Sequence, residues 1–262
     1  MYWTQFIYIA IATLAIGSAG ALVALRHKSF SVWACALTGL AACILGTFIA
    51  GLWVSLGRPP LRTMGETRLW YSFFMLVSGL WVYRREGHRW MPGLSLIVSA
   101  VFMIVCLAHP EMHDQSLPPV LQSGWFVPHV SAYIFAYSLM GCAFLLALRA
   151  LWKVHHSKAV SRDALTSCDN LVQWGFLFLT FGLLSGCLWA VGSWGTYWSW
   201  DPKETWAAAT WASYIVYFHI RLHKSASSGV AALWLLIGFI LLQMCWYGFN
   251  YLPSAARSLH SY

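Results

Sequence analysis

The chain has 262 residues, of which 60% are hydrophobic, 17% aromatic and only 9% charged. Soluble domains carry roughly 25% charged residues, so an ordinary water-soluble fold is excluded and an integral membrane protein is expected. The net charge of +8 is scattered over short connecting segments, which argues against a nucleic-acid surface.

Apolar runs occupy residues 6–25, 32–56, 69–83, 91–108, 129–151, 171–193, 203–222 and 229–249. Each approaches the roughly 17–25 residues that cross the hydrocarbon core, with 69–83 the weakest. Backbone groups in lipid find no water, so each span must be helical. The predicted fold is all-α, a single polytopic membrane domain over 1–262 with about eight transmembrane helices.

Lys and Arg set the orientation. The first positive residue, Arg26, follows the first apolar run, so no cleavable signal peptide is expected. Arg26, Lys28, Arg84, Arg85, Arg89, Arg149, Lys153, Lys158, Arg162, Arg221 and Lys224 fall on one side. Only Arg58, Arg62, Arg68, Lys203 and Arg257 fall on the other. The positive-inside rule then puts both termini outside, together with the link after the sixth span. A bacterial-type cytoplasmic membrane is the expected location.

The seven cysteines lie mostly within the apolar runs and form no Cys-x-x-Cys pair. They read as small packing residues, and the chain carries no c-type haem attachment site of its own.

The histidines divide by topology. His27, His88, His155, His156 and His223 sit among basic residues on the inner side, and His109 and His113 lie in an external link. His129 opens the fifth span after Trp125-Phe-Val-Pro128, and His260 follows the eighth, both outside. Two such imidazoles could hold an iron porphyrin from both faces; alternatively, both are interfacial polar residues. His219 differs in lying within a span, about 27 Å along the seventh helix from Asp201. Ionisable residues inside a membrane are functional candidates, although a histidine near the cytoplasmic end can also snorkel.

The most informative segment is Trp194-Gly-Thr-Tyr-Trp198-Ser-Trp200-Asp201-Pro-Lys203-Glu204-Thr-Trp206. Asp-Pro-x-Glu is a capping-box pattern that starts a helix at Pro202. Tryptophans also form ordinary interfacial belts. Four in one link exceed what anchoring needs, and the surplus suits a flat, hydrophobic ligand with anionic edges.

The whole segment resembles the tryptophan-rich "WWD" signature of the haem-handling proteins of cytochrome c biogenesis. Within that family it is most similar to CcsA or ResC, the membrane component of the two-component synthase. Trp125 four residues before His129, His219 ending the span after the signature, and Leu-His260-Ser-Tyr beyond the last span extend the likeness. Pro60-Leu61 and Glu66 ahead of the third span also match. The resemblance covers most of 58–262, with 128–262 as the haem-handling half.

That resemblance implies non-covalent haem b, handled as a substrate. It implies that His219 receives haem at an internal site, that His129 and His260 ligate its iron outside, and that Trp194, Trp198, Trp200, Asp201 and Trp206 position the porphyrin. Arg58 and Lys203 become candidates for the propionates. It further implies attachment to apocytochrome c Cys-x-x-Cys-His, with a CcsB- or ResB-like membrane partner completing the internal site. Alternatives are haem delivery without attachment, a b-type electron-transfer protein, and a transporter of another amphipathic anion.

Overall fold

The computed structural model describes residues 3–27, 31–113, 123–157, 165–223 and 227–258. Among these the regular structure is entirely helical, with eight α-helices and a few short 3-10 turns. Packing divides the chain into two compact units, Met1–Leu117 and Pro118–Tyr262.

The first unit holds α1 (Phe6–Arg26), α2 (Val32–Leu56), α3 (Met64–Glu86) and α4 (Met91–Ala108). Its core joins Phe6, Leu45, Phe48, Leu69, Leu76 and Met103. In lipid, helices associate through close packing and hydrogen bonds rather than apolar burial, and both devices join α3 to α4. Ser72 and Ser99 exchange hydroxyl-to-carbonyl bonds of 3.3 and 2.8 Å. A Cβ on Gly79 would lie only 2.1 Å from Ser95 Oγ, so the helices approach where glycine allows it.

The α2–α3 link is built around Glu66, which is 1% exposed. Its carboxylate accepts both guanidinium arms of Arg58 at 3.0 and 2.9 Å, plus the Arg62 and Thr63 N–H groups at 2.7 and 3.1 Å. Thr63 returns a capping bond to the Glu66 N–H at 3.2 Å. These caps start α3 at Met64, ahead of the apolar run at 69. His113, expected in an exposed link, is instead buried and stacks flat on Trp3, with ring centroids 3.7 Å apart. His109 pairs with Glu111 at 2.8 Å; a backbone hydrogen bond and then His109 hold the Glu111 carboxyl below its usual range.

The second unit holds α5 (Phe126–Ser157), α6 (Thr166–Trp194), α7 (Pro202–Leu222) and α8 (Ser228–Trp246). Two 3-10 turns follow, Gly248–Tyr251 and Pro253–Arg257. α5 packs against α6 and α8, and α7 packs mainly against α8. α7 meets α6 through specific side chains. Trp211 Nε1 donates to Thr180 Oγ1 at 3.0 Å, Tyr217 donates its hydroxyl to Asp169 at 2.6 Å, and Arg221 pairs with both Asp169 oxygens.

Helix α5 begins at Phe126 rather than at His129. Pro128 falls in the first turn, where its missing N–H breaks no intrahelical bond. Six helices among the described residues are long and apolar enough to span a membrane: α1, α2, α4, α5, α6 and α8. α3 and α7 match them in length, at 23 and 21 residues, but carry charged residues near both ends. Large apolar side chains such as Tyr8, Val54, Ile104 and Leu233 face outward. That inverted surface is the mark of a multi-pass membrane protein.

Candidate functional site

The tryptophan-rich link is shaped by its own two carboxylates. Trp194 ends α6, and Gly195, at φ 79°, turns the chain away. Glu204 then gathers the link from below. Its Oε2 accepts from the Ser199 N–H at 2.8 Å, the Ser199 hydroxyl at 3.3 Å and the Asp201 N–H at 3.1 Å. Asp201, 6% exposed, caps α7 by accepting the Lys203 N–H at 2.9 Å within a full capping box. It also accepts the Ser258 hydroxyl at 2.8 Å.

Between these anchors Trp200 adopts φ 59°, the only positive φ at a non-glycine residue among those described. A bulky side chain in this region costs of order 1–3 kcal/mol and persists only where its surroundings enforce it. Here Glu204 holds the residues on both sides. The Trp200 ring is left 70% exposed, with Trp198 edge-on at 5.7 Å and 89°. Trp194 and Trp206 are half-buried. The link therefore displays indole faces and keeps its acids turned into backbone bonds.

His129 stands at the neighbouring end of α5, against α6. Its Nδ1 lies 2.7 Å from the Gly182 carbonyl oxygen. A carbonyl only accepts, so Nδ1 carries the proton and Nε2 carries the lone pair in the neutral ring. The ring stacks on Trp189 at 5.5 Å and 29° and meets Tyr133 edge-on at 4.7 Å. Trp189 is 1% exposed and in turn touches Phe126 and Trp194. His129 thus joins the link through Trp189 and Trp194. Room for it comes from Gly186, where a Cβ would lie 2.7 Å from both Nδ1 and Cε1 of the imidazole.

The remaining candidates are placed as follows. Lys203 carries its ammonium over the buried Phe249 ring, 5.9 Å from the centroid, on the first turn of α7. Arg58 belongs to the first unit, in the Glu66 pair described above. His219 lies near the far end of α7 with its ring exposed, its Nδ1 2.9 Å from Ile215 O, so its lone pair is again on Nε2. His156 on α5 bonds Trp152 O in the same way at 2.8 Å. That backbone contact is therefore not distinctive by itself. His260 lies outside the described residues; Ser258, two positions earlier, is buried.

Sequence reading overlooked Trp189, Gly182, Gly186 and Ser258. Gly182-Leu-Leu-Ser-Gly186 is a G-x-x-x-G pattern of close helix approach, and His129 and Tyr133, four apart on α5, fill it. That pattern could have paired α5 with α6. Ser258 offered no comparable signal, being an ordinary serine in a tail.

The family model for "Cytochrome C assembly protein" matches residues 61–256. The chain belongs to that family. Relatives named "Cytochrome c biogenesis protein CcsA" include one from Guillardia theta, 31% identical over 254 residues, covering 84% of this chain and 82% of that protein. Others come from Vitis vinifera, 31% identical with 84% and 82% covered, and from Chlamydomonas reinhardtii, 31% identical with 86% and 67% covered. The matched region spans the Glu66 link, α5 with His129, the tryptophan-rich link and the tail as far as Ala256. A CcsA-like role in cytochrome c biogenesis follows for this chain.

Proposed function

We propose that the protein holds haem b at the extracytoplasmic membrane surface, between His129 and His260, and presents it to apocytochrome c. The observation that carries this reading is the His129 imidazole. Its Nδ1–H is committed to Gly182 O, which leaves Nε2 as the ligating nitrogen and sets the ring orientation. Aromatic walls from Trp189 and the link beside it suit a porphyrin face. His260 enters from a tail whose Ser258 is already tied to Asp201.

In this reading all eight helices cross the membrane, α3 and α7 included, with both termini outside and a bacterial-type cytoplasmic membrane as location. The cation bias of the links supports that orientation. His219 then lies towards the inner leaflet as a receiving ligand. Its exposed ring needs an opposing ligand from elsewhere, which a CcsB- or ResB-like partner would supply. Lys203 is the first candidate for a propionate, since both guanidinium arms of Arg58 are engaged by Glu66. Bound haem contributes vinyl groups, across which the apocytochrome Cys-x-x-Cys-His thiols add, each S–H giving its sulfur to one vinyl carbon and its hydrogen to the other.

The test is an absorption spectrum of the purified chain with its partner. A low-spin bis-imidazole signature is expected, lost in His129→Gly and in His260→Gly and restored by added imidazole. A low-spin spectrum unchanged in both variants overturns the ligand assignment. Haem held normally without transfer to apocytochrome thiols would leave delivery alone as the function.

A further inference from the structure

Asp201 stands among the tryptophans of the link, yet its carboxylate is buried rather than displayed with them. It is 6% exposed and accepts from the protein itself, including the Lys203 N–H at 2.9 Å, the Glu204 N–H of the capping box and the Ser258 hydroxyl at 2.8 Å. Ser258 is equally enclosed, at 7%. A hydroxyl donating to a carboxylate forms a charge-assisted bond, roughly twice as strong as a neutral one.

The path of the chain makes this contact a closure. After α8, the turns Gly248–Tyr251 and Pro253–Arg257 lead back over the start of α7. Three successive points touch that first turn. Cys245 Sγ donates to Lys203 O at 3.8 Å, Phe249 lies beneath the Lys203 ammonium, and Ser258 reaches Asp201. The last is the only one made by a polar side chain to a charged group. It sits two residues ahead of position 260, and two peptide units extend at most about 7 Å.

We propose that Asp201 and Ser258 form a latch that fastens the C-terminal tail to the tryptophan-rich link, making Asp201 a positioning residue for His260 rather than a contact for haem. The latch itself stands on the geometry above; its consequence for the iron rests on the ligand reading of the preceding section. The acid thereby does two jobs at one place, starting α7 and fastening the tail at Ser258.

The test compares Ser258→Ala with Ser258→Thr in the full chain, co-purified with its partner and loaded with haem b. Removing the hydroxyl should lower the ratio of low-spin bis-imidazole haem to other forms by at least about tenfold, the low end for one hydrogen bond to a charged group. Added imidazole should restore it, and Ser258→Thr should behave as wild type. A second measurement reports the tail directly. With Ser261→Cys as a probe, alkylation by a membrane-impermeant maleimide should accelerate when Ser258→Ala is combined with it. If neither the spectrum nor the alkylation rate responds to Ser258→Ala, the latch is refuted. If alkylation accelerates while His260→Gly leaves the spectrum untouched, the latch stands and the assignment of His260 to iron falls.

Discussion

Gly186→Ala offers a sharp perturbation of the site because it adds one methyl group and nothing else. The new Cβ would lie 2.7 Å from Nδ1 and from Cε1 of His129. Non-bonded carbon contacts settle at about 3.5–4.0 Å, so the ring must retreat by at least about 0.8 Å. Its bond to Gly182 O, now 2.7 Å, would lengthen to about 3.5 Å and cease to be a hydrogen bond. The net loss of about 0.5–1.5 kcal/mol cuts the population of correctly oriented, Nδ1-protonated rings by roughly two- to twelvefold. Fold stability should change little, because a side chain yields rather than a backbone. Gly192→Ala is the matched control on the same helix, with no atom within 4 Å of the added Cβ. Haem titrations followed by absorption should show weaker binding and a smaller low-spin fraction for Gly186→Ala alone. Indistinguishable titrations for the two alanine variants would refute the argument that Gly186 makes room for a ligating imidazole.

Three further outcomes follow from the contacts. Trp200→Gly removes a backbone strained at φ 59° and should leave the thermal midpoint of haem-free protein equal or higher while haem retention drops; a lower midpoint would show that the ring supports the fold. Asp169→Asn breaks the double contact to Arg221 but leaves an acceptor for Tyr217. Allowing for the 14% and 23% side-chain exposure of the pair, a loss of about 1–3 kcal/mol is expected, read as faster hydrogen exchange in the last turns of α7, and unchanged exchange would show that the pair holds nothing. Glu66→Gln removes the negative charge opposite Arg58, leaving it the Pro59 carbonyl, and weakens the α3 cap. It should cost about 3 kcal/mol, seen as a lower melting midpoint of the full chain, while an unaltered midpoint would make that link dispensable.

Apolar runs marked all eight described helices, most plainly the six that are long and apolar enough to span a membrane, because a segment in lipid has one way to satisfy its backbone and announces it by composition. They missed the helix ends. α3, α5 and α6 all begin several residues before their apolar runs, since Thr63 with Glu66 caps one helix and Pro128 is harmless in the first turn of another. The Asp201–Pro202–Glu204 start was legible to the residue because capping is local chemistry. What was not legible is what those acids touch beyond their own turn. Ser258 lies 57 positions from Asp201, and no local pattern announces that pairing. Trp189 was passed over because a tryptophan inside an apolar run looks like any other, and only the glycine groove on its own helix, which admits His129 of α5, explains why it lies against an imidazole.

The start of α7 has one more consequence. Helix N-termini commonly attract anions through unsatisfied amides, but this one is already occupied. Pro202 has no amide hydrogen, Asp201 takes those of Lys203 and Glu204 on its carboxylate, and its carbonyl takes that of Thr205. Glu204 claims the amides just ahead of the helix. A guest molecule bearing acidic arms therefore finds the backbone amides of this turn already taken, and the cation there is the side chain of Lys203. Charge recognition at this end of α7 therefore falls to a side chain on a flexible stem rather than to the helix terminus itself.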